Sequence, residues 1–405
     1  IQSDYAAQFD QARVQETYHL LDADARAMYD GFAEGVNIFI RAHPDRVPVW
    51  AKPVFSGHDV AAGDIGNVNV AAAQRMVLRR LRADSASGVA RQGRDAPQAT
   101  VNPEDGSNAW AFAPSRTKSG NTILLRNPHL AWTAGYWEAH LTVPGKLDFY
   151  GDFRIGGAFA VVGGFNRDLG WATTNNNADL DEVYALDADT SAADHYRFDG
   201  VSVALRATNV TVEYSAPEGS RQETQTFLST PLGPVVHRTR EKIYIVRAGP
   251  DGEYRAGAQF LRMMRAHSFA EWKAALALRA RATSNLTYAD RAGNIFLIWM
   301  ASIPRLPIPS GGDSVPVAAH RSGDIWTTLV PMDSLPQLLN PAGGYVQNSN
   351  NPPYYTNLHA ILDTAKYPNY FERPDLGLRP QLALQLIDNS NRYSLEDVIA
   401  LKHNT

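Results

Sequence analysis

Apolar residues recur at three- and four-residue steps through Ala25, Met28, Phe32, Val36, Phe39 and Ile40, the stripe of a helix that buries one face against a core. A second helical stretch closes near Leu81, so residues 1–82 are expected to form a helical portion. Residues 83–106 break the pattern: ADSASGVARQGRDAPQATVNPEDG holds almost no apolar bulk and reads as a surface linker. From Ser107 the texture changes to short β-type runs such as Thr122–Leu125, Val201–Leu205, Val210–Tyr214 and Lys242–Val246, separated by Gly, Asn, Asp and Pro. That half is expected to be rich in sheet. Helices interrupt it: Ser268-x-x-Glu271 is a capping box opening a helix through Trp272, Ala275, Leu276 and Arg279, and Ser394-x-x-Asp397 opens another. The class is therefore α+β, and no repeat at solenoid or propeller spacing argues for a stacked architecture.

With 405 residues, 44% of them hydrophobic, the chain exceeds the size at which one core usually stops growing, so two unequal parts are expected. A formal charge of −4 with dispersed Lys and Arg leaves no electrostatic footprint for a nucleic acid. The absence of cysteine excludes disulfides, thiolate metal sites and a Cys nucleophile, and leaves the compartment open. No apolar run approaches the roughly 20 residues of a transmembrane helix. Ile1-Gln2-Ser3-Asp4 has neither the basic start nor the apolar centre of a signal peptide, so the chain is expected to start mid-protein or after processing.

There is no G-x-S-x-G elbow, H-E-x-x-H, P-loop or strand-linked G-x-G-x-x-G. What remains is Gly106-Ser107-Asn108-Ala109-Trp110, where the linker meets the sheet-rich half. On its own this pair reads as a turn. It gains meaning beside Leu124-Leu-Arg-Asn-Pro-His129, His140-Leu-Thr-Val-Pro-Gly145, Gly163-Gly-Phe-Asn-Arg-Asp-Leu-Gly-Trp171, Ser284-Asn-Leu-Thr-Tyr-Ala-Asp-Arg-Ala-Gly-Asn294 and Gly344-Tyr-Val-Gln-Asn-Ser-Asn-Asn351. In this order and approximate spacing the chain resembles the penicillin acylase family of N-terminal-nucleophile hydrolases, and most the branch of N-acyl-homoserine lactone and cyclic lipopeptide acylases. The resemblance runs over nearly the whole chain.

That resemblance implies a four-layer αββα core. Residues 1–82 correspond to the small subunit, 83–106 to a spacer and 107–405 to the large-subunit nucleophile domain. The opening strand of the small subunit and the last part of the large subunit are not found here, so the chain reads as a fragment or as one whose other parts lie elsewhere. In the family the serine is the first residue of the large subunit, whereas Ser107 stands inside a continuous chain; scission at Gly106–Ser107 is the expected maturation, yielding an α/β heterodimer from one precursor. It also accounts for a missing triad: an α-amine titrates at about 7.7–8.0 in model peptides, low enough to serve as the base for its own hydroxyl.

By match to the family, Asn285 gives its side-chain amide and Asn175 its backbone N–H to the oxyanion, and His129 stands beside Ser107. Leu130, Ile155, Ala158 and Val162 match the apolar acyl lining, with Trp132 and Trp137 nearby, although core packing is the alternative for any of them. Arg305 matches a basic position near the site or is a surface arginine. Asp179, Leu180 and Asp181 resemble a turn that holds structural Ca²⁺ in one branch, or form a solvated acidic turn. No cofactor is required for the chemistry. The expected activity is removal of an acyl chain from N-acyl-homoserine lactone in the periplasm or outside a bacterial cell, with β-lactam acylase and a non-catalytic scaffold as the other readings.

Overall fold

The computed structural model describes residues 2–48, 54–86, 106–131, 133, 135–308 and 315–404. Four helices open the chain, Gln2–Thr17, Ala23–Ala42, Gly57–Ala62 and Val70–Ala86, as the period demands. The second helix buries Ala25, Tyr29, Ala33 and Asn37 and leaves Phe39 more than half exposed. Met28 and Phe32 of the expected stripe lie half-buried against the main core beside these residues, and the stripe leaves the core at Phe39. The linker enters this picture only at its ends. The fourth helix runs to Ala86, a strand begins at Gly106, and residues 87–105 lie outside the described residues.

Three sheets follow. A three-stranded sheet places Gly106–Phe112 between Tyr345–Asn348 and Ile123–His129, all antiparallel. A seven-stranded sheet carries Leu169–Thr174, Thr283–Asp290 and Ile295–Ala301 at its centre. An eight-stranded sheet lies apart from both, built on Lys242–Ala248 and Asp181–Ala188 and extended by the long hairpin Arg206–Ala216 and Gly219–Thr230. The strands expected from the β-type runs are all present.

Alternation along the strands sets the layers. Ala111 and Val346 of the small sheet meet Ala289, Ile295 and Leu297 of the large one. On its other face the small sheet turns Trp110, Phe112 and Tyr345 onto Ala383, Leu384 and Val398, from the helices Leu378–Ile387 and Leu395–Lys402. The far face of the seven-stranded sheet, with Trp171, Tyr288 and Ile298, packs on helices through Tyr29, Met263 and Trp272. Helix, sheet, sheet and helix are therefore stacked as expected.

Both capping boxes open helices. Ser394 and Asp397 exchange both hydrogen bonds, and Ser268 accepts from the Glu271 N–H. The Ser268 helix stops at Leu276 and not at Arg279, whose φ of 54° is left-handed and ends the helical run. Among the described residues no helix is long and apolar enough to cross a membrane.

Candidate active site

Ser107 is the second residue of its strand, and strand alternation gives it the face shared with Ala109 and Ala111, toward the seven-stranded sheet. It is only 7% exposed. Its Oγ donates to the Gly106 carbonyl at 2.7 Å, so the hydroxyl sits on the carbonyl group of the very bond whose scission is expected. Its backbone N–H donates to Asn350 Oδ1 at 2.7 Å. Asn350 reaches it from the turn after Tyr345–Asn348, with a left-handed φ of 64° that Asn tolerates better than most residues.

Arg379, in the first turn of its helix, completes the frame. Its guanidinium donates to the Ser107 carbonyl at 2.7 Å, Asn108 Oδ1 at 2.8 Å and Asn350 Oδ1 at 2.9 Å. Burial pulls its pKa down, and among the described residues no carboxylate pairs with it. A Cβ on residue 106 would stand 2.8 Å from Arg379 Nη2, so a side chain there would shift the guanidinium. An opening of about 450 Å³ adjoins the cluster, with Asn177, Asn350, Glu372, Arg373, Asp375 and Arg379 in its wall.

Asn285 lies across the gap between the sheets, on the strand Thr283–Asp290, and is fully buried. Its Nδ2 donates to Asn348 Oδ1 at 3.1 Å, Thr174 Oγ1 at 3.1 Å and the Asn175 carbonyl at 3.2 Å. Its Oδ1 finds no hydrogen-bond partner among the described residues, an unsatisfied buried acceptor of the kind that marks functional sites. The Asn175 carbonyl also accepts from Asn350 Nδ2 at 3.0 Å. The Asn175 carbonyl is thus the group on which these two amides meet.

The remaining expectations separate. His129 is the register partner of Gly106, one position from Ser107, and alternation assigns it to the face of Asn108 and Trp110 instead of the Ser107 face. Leu130 and Ile155 are exposed, Ile155 at 66% and covering Gly135, and Val162 is half-buried. Ala158 is 5% exposed inside the main core, so packing accounts for it. Trp137 stacks on Phe153 at 4.7 Å between ring centres; Trp132 lies outside the described residues. Arg305 is on the surface. The Leu180 carbonyl accepts from the Gly249 N–H at 2.8 Å, and among the described residues no third His, Cys, Asp or Glu joins Asp179 and Asp181 in a metal-holding group.

Sequence reasoning missed Asn348, Asn350, Arg379 and Glu372. The first two were within reach: Gln347-Asn-Ser-Asn-Asn351 packs four amides into five residues beside a strand, far more hydrogen-bonding capacity than a turn needs. Nothing local marks Arg379.

The chain is 27% identical over 423 residues to the acyl-homoserine lactone acylase PvdQ of Pseudomonas putida, covering 93% of this chain and 53% of that protein. It is 29% identical to the aculeacin-A acylase of Actinoplanes utahensis, over 70% of this chain and 39% of that one. Penicillin G acylase of Escherichia coli matches at 26%, over 61% and 29%. The chain thus spans about half the length of the P. putida relative, and less of the others. A solved thermostable penicillin G acylase from Alcaligenes faecalis shares the fold, with a TM-score of 0.59 at 22% identity over 73% of this chain and 51% of that one. The penicillin amidase family model matches residues 2–405, and the chain belongs to that family.

Proposed function

We propose that the protein is an amidohydrolase that removes an acyl chain from N-acyl-homoserine lactone, with Ser107 as nucleophile after scission at Gly106–Ser107. The observation that carries this reading is the Ser107 hydroxyl resting on the Gly106 carbonyl while Asn350 holds the Ser107 N–H. In maturation the hydroxyl attacks the Gly106 carbonyl carbon, the peptide C–N bond breaks as its nitrogen gains a proton, and water hydrolyses the resulting ester. A helical chain that ends with the spacer at Gly106 and a nucleophile chain starting at Ser107 result. Contacts across the two parts, such as Arg265 with Asp24 at 2.6 Å and Tyr29 against Phe159, support their staying together as an α/β heterodimer.

In turnover the freed α-amine takes the hydroxyl proton, Ser107 Oγ attacks the substrate amide, and the amine product leaves with that proton. Water then releases the acid. Arg379 favours the neutral amine, because a cation placed this close opposes protonation. Asn350 and Asn285 are the side-chain donors in reach of the developing oxyanion; each must exchange the Asn175 carbonyl for it. Leu130, Ile155 and Val162 supply an apolar wall for the acyl chain.

The substrate choice rests on similarity to acyl-homoserine lactone acylases. A β-lactam acylase is the second reading, favoured by the match to penicillin G acylase. A periplasmic or secreted location belongs to the same proposal. Incubating purified protein and Ser107→Ala with acyl-homoserine lactones and with penicillins, and assaying the released amine, decides among these readings. Release only from lactones by the parent supports the first, release only from penicillins supports the second, and release from neither leaves the scaffold.

A further inference from the structure

The Asn175–Asn177 segment leaves the strand Leu169–Thr174 and crosses the site without belonging to a sheet. Such a segment keeps its peptide orientations only through tethers. Asn176 is riveted to the seven-stranded sheet: its Nδ2 donates to the Met300 carbonyl at 3.1 Å, and its Oδ1 accepts from the Thr283 hydroxyl. The Asn175 carbonyl holds the amides of Asn285 and Asn350. The third tether is a carboxylate. Glu372 Oε1 accepts from the Asn177 N–H at 3.1 Å, and its other oxygen accepts from the indole N–H of Trp299.

Trp299 is fully buried in the seven-stranded sheet and packs on Phe371, and the Glu372 carbonyl accepts from the Tyr354 hydroxyl at 2.9 Å. Glu372 therefore bridges a fixed ring and a loop peptide. Burial raises its pKa, and its partners among the described residues are N–H donors, with no ion pair. A half-buried carboxylate without a cation is costly to keep, and its N–H partners, the Asn177 side-chain amide among them, are what offset that cost.

We propose that Glu372 is a positioning residue that fixes the Asn175–Asn177 peptides, and through them the two amides that face Ser107. The inference rests on the functional reading above. Glutamine at 372 keeps the shape but turns an NH₂ group toward one of its N–H donors, so one tether is lost. Phenylalanine at 299 lacks the indole N–H and releases the other oxygen of the clamp.

The test compares parent, Glu372→Gln, Trp299→Phe and the double variant as full chains. Kinetics are measured on N-acyl-homoserine lactone, and backbone amide exchange at Asn177 is read separately. Glu372→Gln is expected to lower kcat by roughly 10- to 100-fold with KM within about twofold, the signature of a lost transition-state geometry. Asn177 exchange is expected to quicken at least about tenfold while amides of Thr283–Asp290 keep their protection. The double variant is expected to lose less than the product of the single losses, because both act on one clamp. Unchanged Asn177 exchange in Glu372→Gln overturns the proposal, and so does a raised KM with kcat intact. If Glu372→Gln does not fold, Trp299→Phe carries the exchange test. A parent that cleaves no amide sinks the functional reading, and the exchange measurement then judges Glu372 alone.

Discussion

The seam between the two stacked sheets has two ends that differ in chemistry. At one end Ala111, Val346, Ala289, Ile295 and Leu297 close on each other as an apolar cluster, with the Thr287 hydroxyl as the polar group beside them. At the other, Ser107, Asn348, Asn350, Asn285 and Thr174 face across the same gap and fill it with amides and hydroxyls. The strands are shared, so backbone geometry is not what distinguishes the ends. The apolar end fixes how the sheets sit, through burial that is strong and without direction. The polar end inherits that placement and turns it into aimed donors, leaving Asn285 Oδ1 unsatisfied. A site built this way can carry costly polar burial because its position is set elsewhere.

The comparison breaks most visibly at Asn350. Its replacement by Ala should lower kcat by on the order of 10² to 10³ with KM little changed. Asn285→Ala, one layer further from Ser107, should cost less, and steady-state kinetics on correctly cut protein rank the two. A larger loss at Asn285 would return the leading role to it. At the apolar end the expected effect is on stability: Leu297→Ala should cost about 2–5 kcal/mol in chemical denaturation, with kcat unaltered in the folded fraction.

A third test concerns the acyl wall. Ile155→Ala should lower the specificity constant for long acyl chains by about tenfold and leave short ones unaffected, since each buried methylene is worth about 0.8 kcal/mol. Ala158→Phe, inside the core, should instead destabilise by about 1–3 kcal/mol without moving the chain-length profile. Equal profiles for Ile155→Ala and parent would remove Ile155 from the wall.

The smallest expected effect is on the contact between the helical part and the rest. Asp24 is held below the usual carboxylate range first by hydrogen bonding and charge from Arg265 and then by Lys146. A lowered folded pKa means that its contribution is present above the unfolded value of about 3.9 and is lost as pH falls through the lowered one. The cut chains should therefore separate somewhat more readily below about pH 4, and Asp24→Asn should flatten that dependence in sedimentation runs. The pair is only half-buried, so the change should be modest.

What the sequence makes legible follows from the range of the forces involved. The helical stretches, the strand runs and both capping boxes depend on spacings of two to four residues, and they appear where the period puts them. Phe39 misleads because bulk predicts a buried face only where the neighbour has room for it. Asn350 escapes because its meeting with Ser107 joins positions 243 apart in the chain, through strand register and a left-handed turn. Arg379 escapes for the same reason. Ala158 and Ile155 share an apolar character, and only the fold tells which one faces the core.

The central claim is that Ser107 attacks the bond before it and then serves as an N-terminal nucleophile. Intact-mass and N-terminal analysis of purified parent and Ser107→Ala tests it most directly. The account predicts a fragment beginning at Ser107 in the parent and a single uncut chain in Ser107→Ala. A Ser107→Ala protein that is still cut between Gly106 and residue 107 would contradict it.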